Sequence, residues 1–74
     1  MPVVNLKKTG QQIYAYMFAK GITAKDMQDA IGLTTTNAIY KWLNGQSLPT
    51  VNNLLILSKL FGVTLDDLLI VDYV

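Results

Sequence analysis

Between Thr35 and Asn44 the chain gathers side chains that donate and accept hydrogen bonds at helical spacing: Thr36, Asn37, Tyr40 and Lys41. In the same run Ile39, Trp42 and Leu43 fall at i, i+3 and i+4, so a helix here turns an apolar stripe inward and a polar face outward. The outward face carries hydroxyls, an amide and one ammonium, so its chemistry is recognition rather than proton transfer. An asparagine amide can bond adenine at N6 and N7 together. A threonine offers a hydroxyl to either base type and a methyl to thymine, and a lysine serves a guanine or a phosphate. The hydrogen-bonding groups concentrate near the N-terminus of the helix. A helix lying in a major groove has that polarity, its first residues reaching base edges while its apolar side packs on the protein.

Thr36, Asn37, Tyr40 and Lys41 are therefore the candidate base contacts, and each has a plainer role open to it. Asn37 also suits an untargeted polar position at a helix start. Tyr40 either lies along sugar-phosphate or stacks, or else covers the protein body. Lys41 also reads as a solvated charge. Candidate phosphate contacts are Thr23, Lys25, Thr35, Asn44, Gln46, Ser47 and Thr50, at helix starts and in the loop after Asn44. Free N–H groups and the helix dipole attract anions at helix starts. Such contacts set register without reading sequence. Trp42, on the apolar stripe with Ile39, is assigned to the core.

The elements that must position this helix follow from caps and stops. Thr23 with Asp26 three residues on forms a capping-box pattern, and Ile22 with Met27 suits a hydrophobic staple. Met27, Ala30 and Ile31 give one apolar face, and Gly32 is the stop. This helix is about two turns long, too short to persist alone in water. Leu33 and Thr34 make the turn, Thr35 is the expected second cap, and Asn44-Gly45 ends the helix. Upstream, Thr9-Gly-Gln-Gln12 is a capping-box pattern opening a first helix that ends at Gly21. Its inward face is Ile13, Tyr16 and Met17. The run Ile13 to Ala19 is so apolar and aromatic that the helix reads either as well buried or as a surface for self-association or a partner. Downstream, Pro49 ends a loop, Thr50 caps a helix rich in leucine, and Thr64 with Asp67 caps a last one. The pattern predicts helices at about 9–20, 23–31, 35–44, 50–61 and 64–70. Both termini are β-branched and are expected to pair as a small two-stranded ribbon; disorder and pairing between two copies are the alternatives.

In their order and spacing, ITAKDMQDAIGLT, IYKWLNGQSLPT and NNLLILSKLFGVTLDDLL resemble the XRE-like helix-turn-helix family, the domain type of phage repressors and Cro proteins. The resemblance covers roughly residues 9–70. It departs from the usual pattern at Gln28, where a small residue is common, and at Leu43, where an acid is common. The step from Gly32 to Ile39 is also one residue longer than usual. The resemblance implies an all-α, five-helix repressor-type domain spanning 1–74 with its third helix in the major groove. It implies a bacterial or phage sequence-specific transcriptional regulator, repressor-like, binding double-stranded DNA as a homodimer. It also implies basic residues on the outer face of the first helix, where this chain is aromatic.

Composition bounds these expectations. Seventy-four residues make one domain, and 51% hydrophobic content supplies a dense core for its size. With no histidine, cysteine or glutamate, an enzyme is not expected, nor a metal, a cofactor or a small-molecule ligand. No apolar run approaches the ~20 residues needed to cross a bilayer, and the absence of cysteine suits a reducing cytoplasm. All six basic groups are lysines against five aspartates, a net charge of +1. Residues 1–60 hold six lysines against Asp26 and Asp29, a balance of +4, and the remaining three aspartates lie at the C-terminal end. Phosphate neutralisation by so modest a balance keeps a rival open: the same fold as a protein-interaction or oligomerisation module with weak or lost DNA binding.

Overall fold

A computed structural model describes residues 1–74. Its elements are β1 (Pro2–Val4), α1 (Leu6–Lys20), α2 (Ala24–Ile31), α3 (Asn37–Leu43), α4 (Val51–Phe61), α5 (Leu65–Leu68) and β2 (Val71–Tyr73). Five helices and a terminal ribbon were the expected architecture. The ribbon is antiparallel, pairing Pro2 with Tyr73, Val3 with Asp72 and Val4 with Val71. The helices enclose one core of Ile13, Met17, Met27, Ile39, Trp42, Leu54, Leu57, Phe61 and Leu68. Each helix contributes, and none would be stable alone; burial of these side chains at ~25 cal/mol per Å² of apolar surface is what holds them.

The second helix forms as its sequence predicts. The Thr23 hydroxyl accepts from the Asp26 N–H (3.1 Å) and the Asp26 carboxylate accepts from the Thr23 N–H (2.9 Å), a reciprocal capping box. Met27 is buried and Ile22 and Ile31 pack on the core, but Ala30 is exposed. Thr64 and Asp67 repeat the same box at α5.

Three boundaries differ from the sequence expectation. The first helix begins at Leu6 rather than Thr9, capped by Asn5, whose Oδ1 accepts from the Lys8 N–H (2.8 Å). Thr9 is instead fully buried, and its hydroxyl accepts from the Ile70 N–H (3.0 Å). Asn5 donates its own N–H to the Ile70 carbonyl (2.8 Å) and its side-chain amide to Asp72 (2.8 Å), and Gln12 donates to the Asp67 carbonyl (2.9 Å). The start of α1 is thus stitched to the C-terminal segment. That stitching draws Ile70 out of helix, which is why α5 stops at Leu68 rather than residue 70. The third helix begins at Asn37, one residue later than a cap at Thr35 would start it. Its N-cap position is Thr36 rather than Thr35, and Thr36 makes no side-chain cap bond.

The reading of α1 as well buried is also corrected. Ile13 and Met17 are buried and Tyr16 stacks on Phe61 at 5.8 Å between ring centroids, but Tyr14 is 59% exposed and Phe18 is 82% exposed.

Candidate nucleic-acid interface

The candidate site is the outer face of α3, and its orientation is set from behind. Ile39 and Trp42 are buried and fix which side of the helix faces the core. The C-terminal end of α3 is then held against α1 by two glycines. A Cβ on Gly10 would sit 2.3 Å from the Trp42 carbonyl oxygen and 2.8 Å from that of Leu43, so only glycine lets α1 come this close. Gly45, at φ +74°, lies against the backbone of Lys7, where a Cβ would be 2.8 Å from the Lys7 Cα. Gly45 and Gln46 donate their N–H groups back to the carbonyls of Trp42 (3.1 Å) and Lys41 (2.9 Å), closing the helix.

With that side anchored, Asn37, Tyr40, Lys41 and Asn44 are all exposed on the opposite side. Of the four candidate base contacts, Asn37, Tyr40 and Lys41 share this open face; Thr36 is half-buried at its N-terminal margin. Lys41 forms no ion pair. Thr35 is exposed, and its hydroxyl accepts from the Asn37 N–H at 3.3 Å, a long local bond.

The candidate phosphate contacts divide into two groups. Thr23 and Lys25 stand at the start of α2, where the local charge is unfavourable to an anion. Lys25 bonds Asp29 at 3.1 Å, and Asp26 lies in the same turn. The Thr23 backbone N–H, and after it the Thr23 hydroxyl, hold the Asp26 carboxyl below its ordinary range, so it is firmly ionised. Lys25 against Asp26 and Asp29 leaves this end one charge negative. The second group, Asn44, Gln46, Ser47 and Thr50, follows α3 and contains no acid. Asn44 and Gln46 are exposed, Ser47 is half-buried, and Thr50 caps α4 by accepting from the Asn53 N–H (3.3 Å).

Beside α3 the structure holds a feature that the sequence reading did not single out. A hollow of about 390 Å³ is lined by Gln11 and Tyr14 of α1 and by Tyr40, Leu43 and Asn44. Lys7, Gln11 and Tyr14 fall at i, i+4 and i+7, one stripe of α1, and all three are exposed. That spacing was legible in the sequence, but starting the helix at Thr9 left Lys7 outside it. No helix is long and apolar enough to cross a membrane.

The helix-turn-helix family model matches residues 13–68. Among solved structures, the chain is similar to the restriction-modification controller protein C.AhdI from Aeromonas hydrophila. The TM-score is 0.75 at 24% identity, over 85% of this chain and 94% of that one. It is also similar to the DNA-binding domain of BldD, with a TM-score of 0.71 at 19% identity over 89% and 94% of the two chains. No curated protein matches significantly.

Proposed function

This chain belongs to the XRE-type helix-turn-helix family, and from that premise we propose that it is a sequence-specific DNA-binding transcriptional regulator, repressor-like, that lays α3 in the major groove. The observation that carries the proposal is the two-sidedness of α3. Ile39 and Trp42 are buried while Asn37, Tyr40, Lys41 and Asn44 stand open on the other side. Asn37 is the principal base-reading residue, bidentate to adenine, with Thr36, Tyr40 and Lys41 beside it. Thr35, Asn44, Gln46, Ser47 and Thr50 hold the backbone, whereas Thr23 and Lys25, committed to Asp26 and Asp29, leave the α2 flank without a phosphate contact.

A homodimer belongs to this proposal for a reason of length. Seven residues of helix span about 10 Å, roughly three base-pair steps of 3.4 Å. Three base pairs cannot define a site, so two copies reading half-sites about 34 Å apart are required.

The test is a binding-site selection on purified protein, repeated with Asn37→Ala. The variant should lose preference at one position of each half-site, with affinity for the selected site falling by about 1–3 kcal/mol. An unaltered consensus would remove Asn37 from the reading role. The exposed Tyr14 and Phe18 favour a second reading, a protein-interaction module on the same fold. Salt separates the two: binding to duplex DNA that rests on phosphate contacts weakens steeply as salt rises. A chain that ignores duplex even at low salt, yet forms a defined oligomer, is the module.

A further inference from the structure

We propose that the hollow between α1 and α3 seats one sugar–phosphate strand of the duplex that α3 reads, with Lys7, Gln11 and Tyr14 of α1 as additional phosphate contacts. The proposal rests on the DNA-binding reading above and assigns a surface which that reading leaves open.

Geometry comes first. A helix with its side chains is about 10–12 Å across and the major groove about 12 Å wide. A helix in the groove is therefore flanked by the two backbones, and whatever packs on its flanks meets them. The element on one flank of α3 is α1, brought to backbone contact by Gly10 and Gly45. Asn44 belongs both to the hollow and to the outward face that carries Asn37 and Lys41. A strand lying in the hollow is thus continuous with bases beneath α3.

Chemistry comes second. The stripe and the far wall offer an ammonium (Lys7), two carboxamides (Gln11, Asn44) and two phenols (Tyr14, Tyr40), all of them able to donate to phosphate oxygens. No carboxylate lines the hollow. The five aspartates lie elsewhere, at Asp26 and Asp29 on α2, Asp66 and Asp67 on α5, and Asp72 in β2. Lys7 is held by its Cα against Gly45, and the protein's one ion pair, Lys25 with Asp29, does not involve it. Lys7 extends the stripe one turn beyond the residues that line the hollow, so the phosphate chemistry offered here is a set of neutral donors with one unpaired cation at its margin. The aromatic exposure of Tyr14 then has an occupant: its ring edge lies along sugar while its hydroxyl reaches phosphate.

The experiment measures affinity for a random-sequence duplex and for the selected site across a salt series, with wild type, Lys7→Gln, Tyr14→Phe and Asn37→Ala. Lys7→Gln should weaken binding to both duplexes alike and lower the slope of log K against log salt by about 0.9. Its deficit relative to wild type then shrinks about threefold between 50 and 200 mM salt. Tyr14→Phe should weaken both duplexes a few-fold with the slope unchanged, because no charge is lost. Neither should alter the selected consensus, whereas Asn37→Ala should. Thermal melts check that both exposed-site variants are folded. The proposal is overturned if wild type binds duplex while Lys7→Gln and Tyr14→Phe keep its affinity and slope. It is also overturned if the two variants change sedimentation of the free protein and leave DNA binding alone, which assigns the hollow to a second copy. Failure of wild type to bind any duplex sinks the parent reading itself and is told apart by that control.

Discussion

The two ends of α3 are built differently. At its C-terminal end the inner side and the backbone are committed. Trp42 is buried, the carbonyls of Trp42 and Leu43 face Gly10 across the α1 contact, and the chain leaves through Gly45 packed on Lys7. At its N-terminal end almost nothing is committed. Thr36 caps nothing, the Thr35 hydroxyl makes one long bond, and Asn37 points outward. A seven-residue helix is far below the length that persists alone in water. It exists because one end is clamped, and the other end is left to complete its hydrogen bonds with something else. Order and recognition are therefore carried by opposite sides of a single helix, with the firm anchoring of its backbone at one end only.

The clamp is the sharper half of the comparison, and Gly10→Ala attacks it directly. Alanine is the better helix former by about 1 kcal/mol, which alone would stabilise α1. Against this stands a Cβ 2.3 Å from a backbone carbonyl oxygen, where no flexible side chain can yield. Overpacking of this kind costs about 3 kcal/mol or more and wins. Urea unfolding should show a net loss of about 2–3 kcal/mol, a large part of what so small a domain has. A variant as stable as wild type would mean that α1 and α3 do not meet as described, and the contrast between the two ends of α3 would collapse with it.

The N-terminal end is probed by comparing two threonines that look alike in sequence. Thr23→Ala removes half of a reciprocal capping box and should cost about 1 kcal/mol. Thr35→Ala removes one 3.3 Å bond at an exposed helix start and should cost less than about 0.5 kcal/mol. Thermal melts of the two proteins side by side decide it. Equal losses would mean that α3 is capped as firmly as α2, so that its start is not free for a ligand.

Thr64 and Thr9, set beside Thr23, show which parts of the fold are legible in the sequence. Thr23 with Asp26 and Thr64 with Asp67 are self-contained signals, satisfied within four residues, and both were legible. Thr9 carries the same local pattern with Gln12, yet its hydroxyl goes to Ile70, 61 residues away, and the cap falls to Asn5. A cap motif says what a side chain is able to do. Whether a distant backbone group needs it more is settled only when the chain ends meet. For the same reason α5 was drawn too long and α3 begun too early. The candidate reading face was legible because it follows from where Ile39 and Trp42 must point. The hollow beside it was not, because it depends on how near α1 comes, and Gly10 inside a helical run signals only weak helix until the carbonyls opposite it are known.

The smallest effect tests whether the contrast between α2 and α3 extends to pH. The start of α2 holds a titrating group in its cap; the start of α3 holds none. Asp26 is bonded by the Thr23 N–H and hydroxyl, which lowers its folded-state pKa below the ordinary value. A depressed carboxyl contributes stability that is present above the unfolded pKa of about 3.9 and is lost as pH falls through the lower, folded value. Asp26→Asn should therefore melt below wild type at neutral pH, and the gap between them should close below about pH 4. Added salt should narrow the neutral-pH gap only in part, since it screens the charge on the helix dipole but leaves the two hydrogen bonds. A gap that stays constant down to pH 2 would mean that the carboxylate is not what the Thr23 cap depends on, and that α2 begins as loosely as α3.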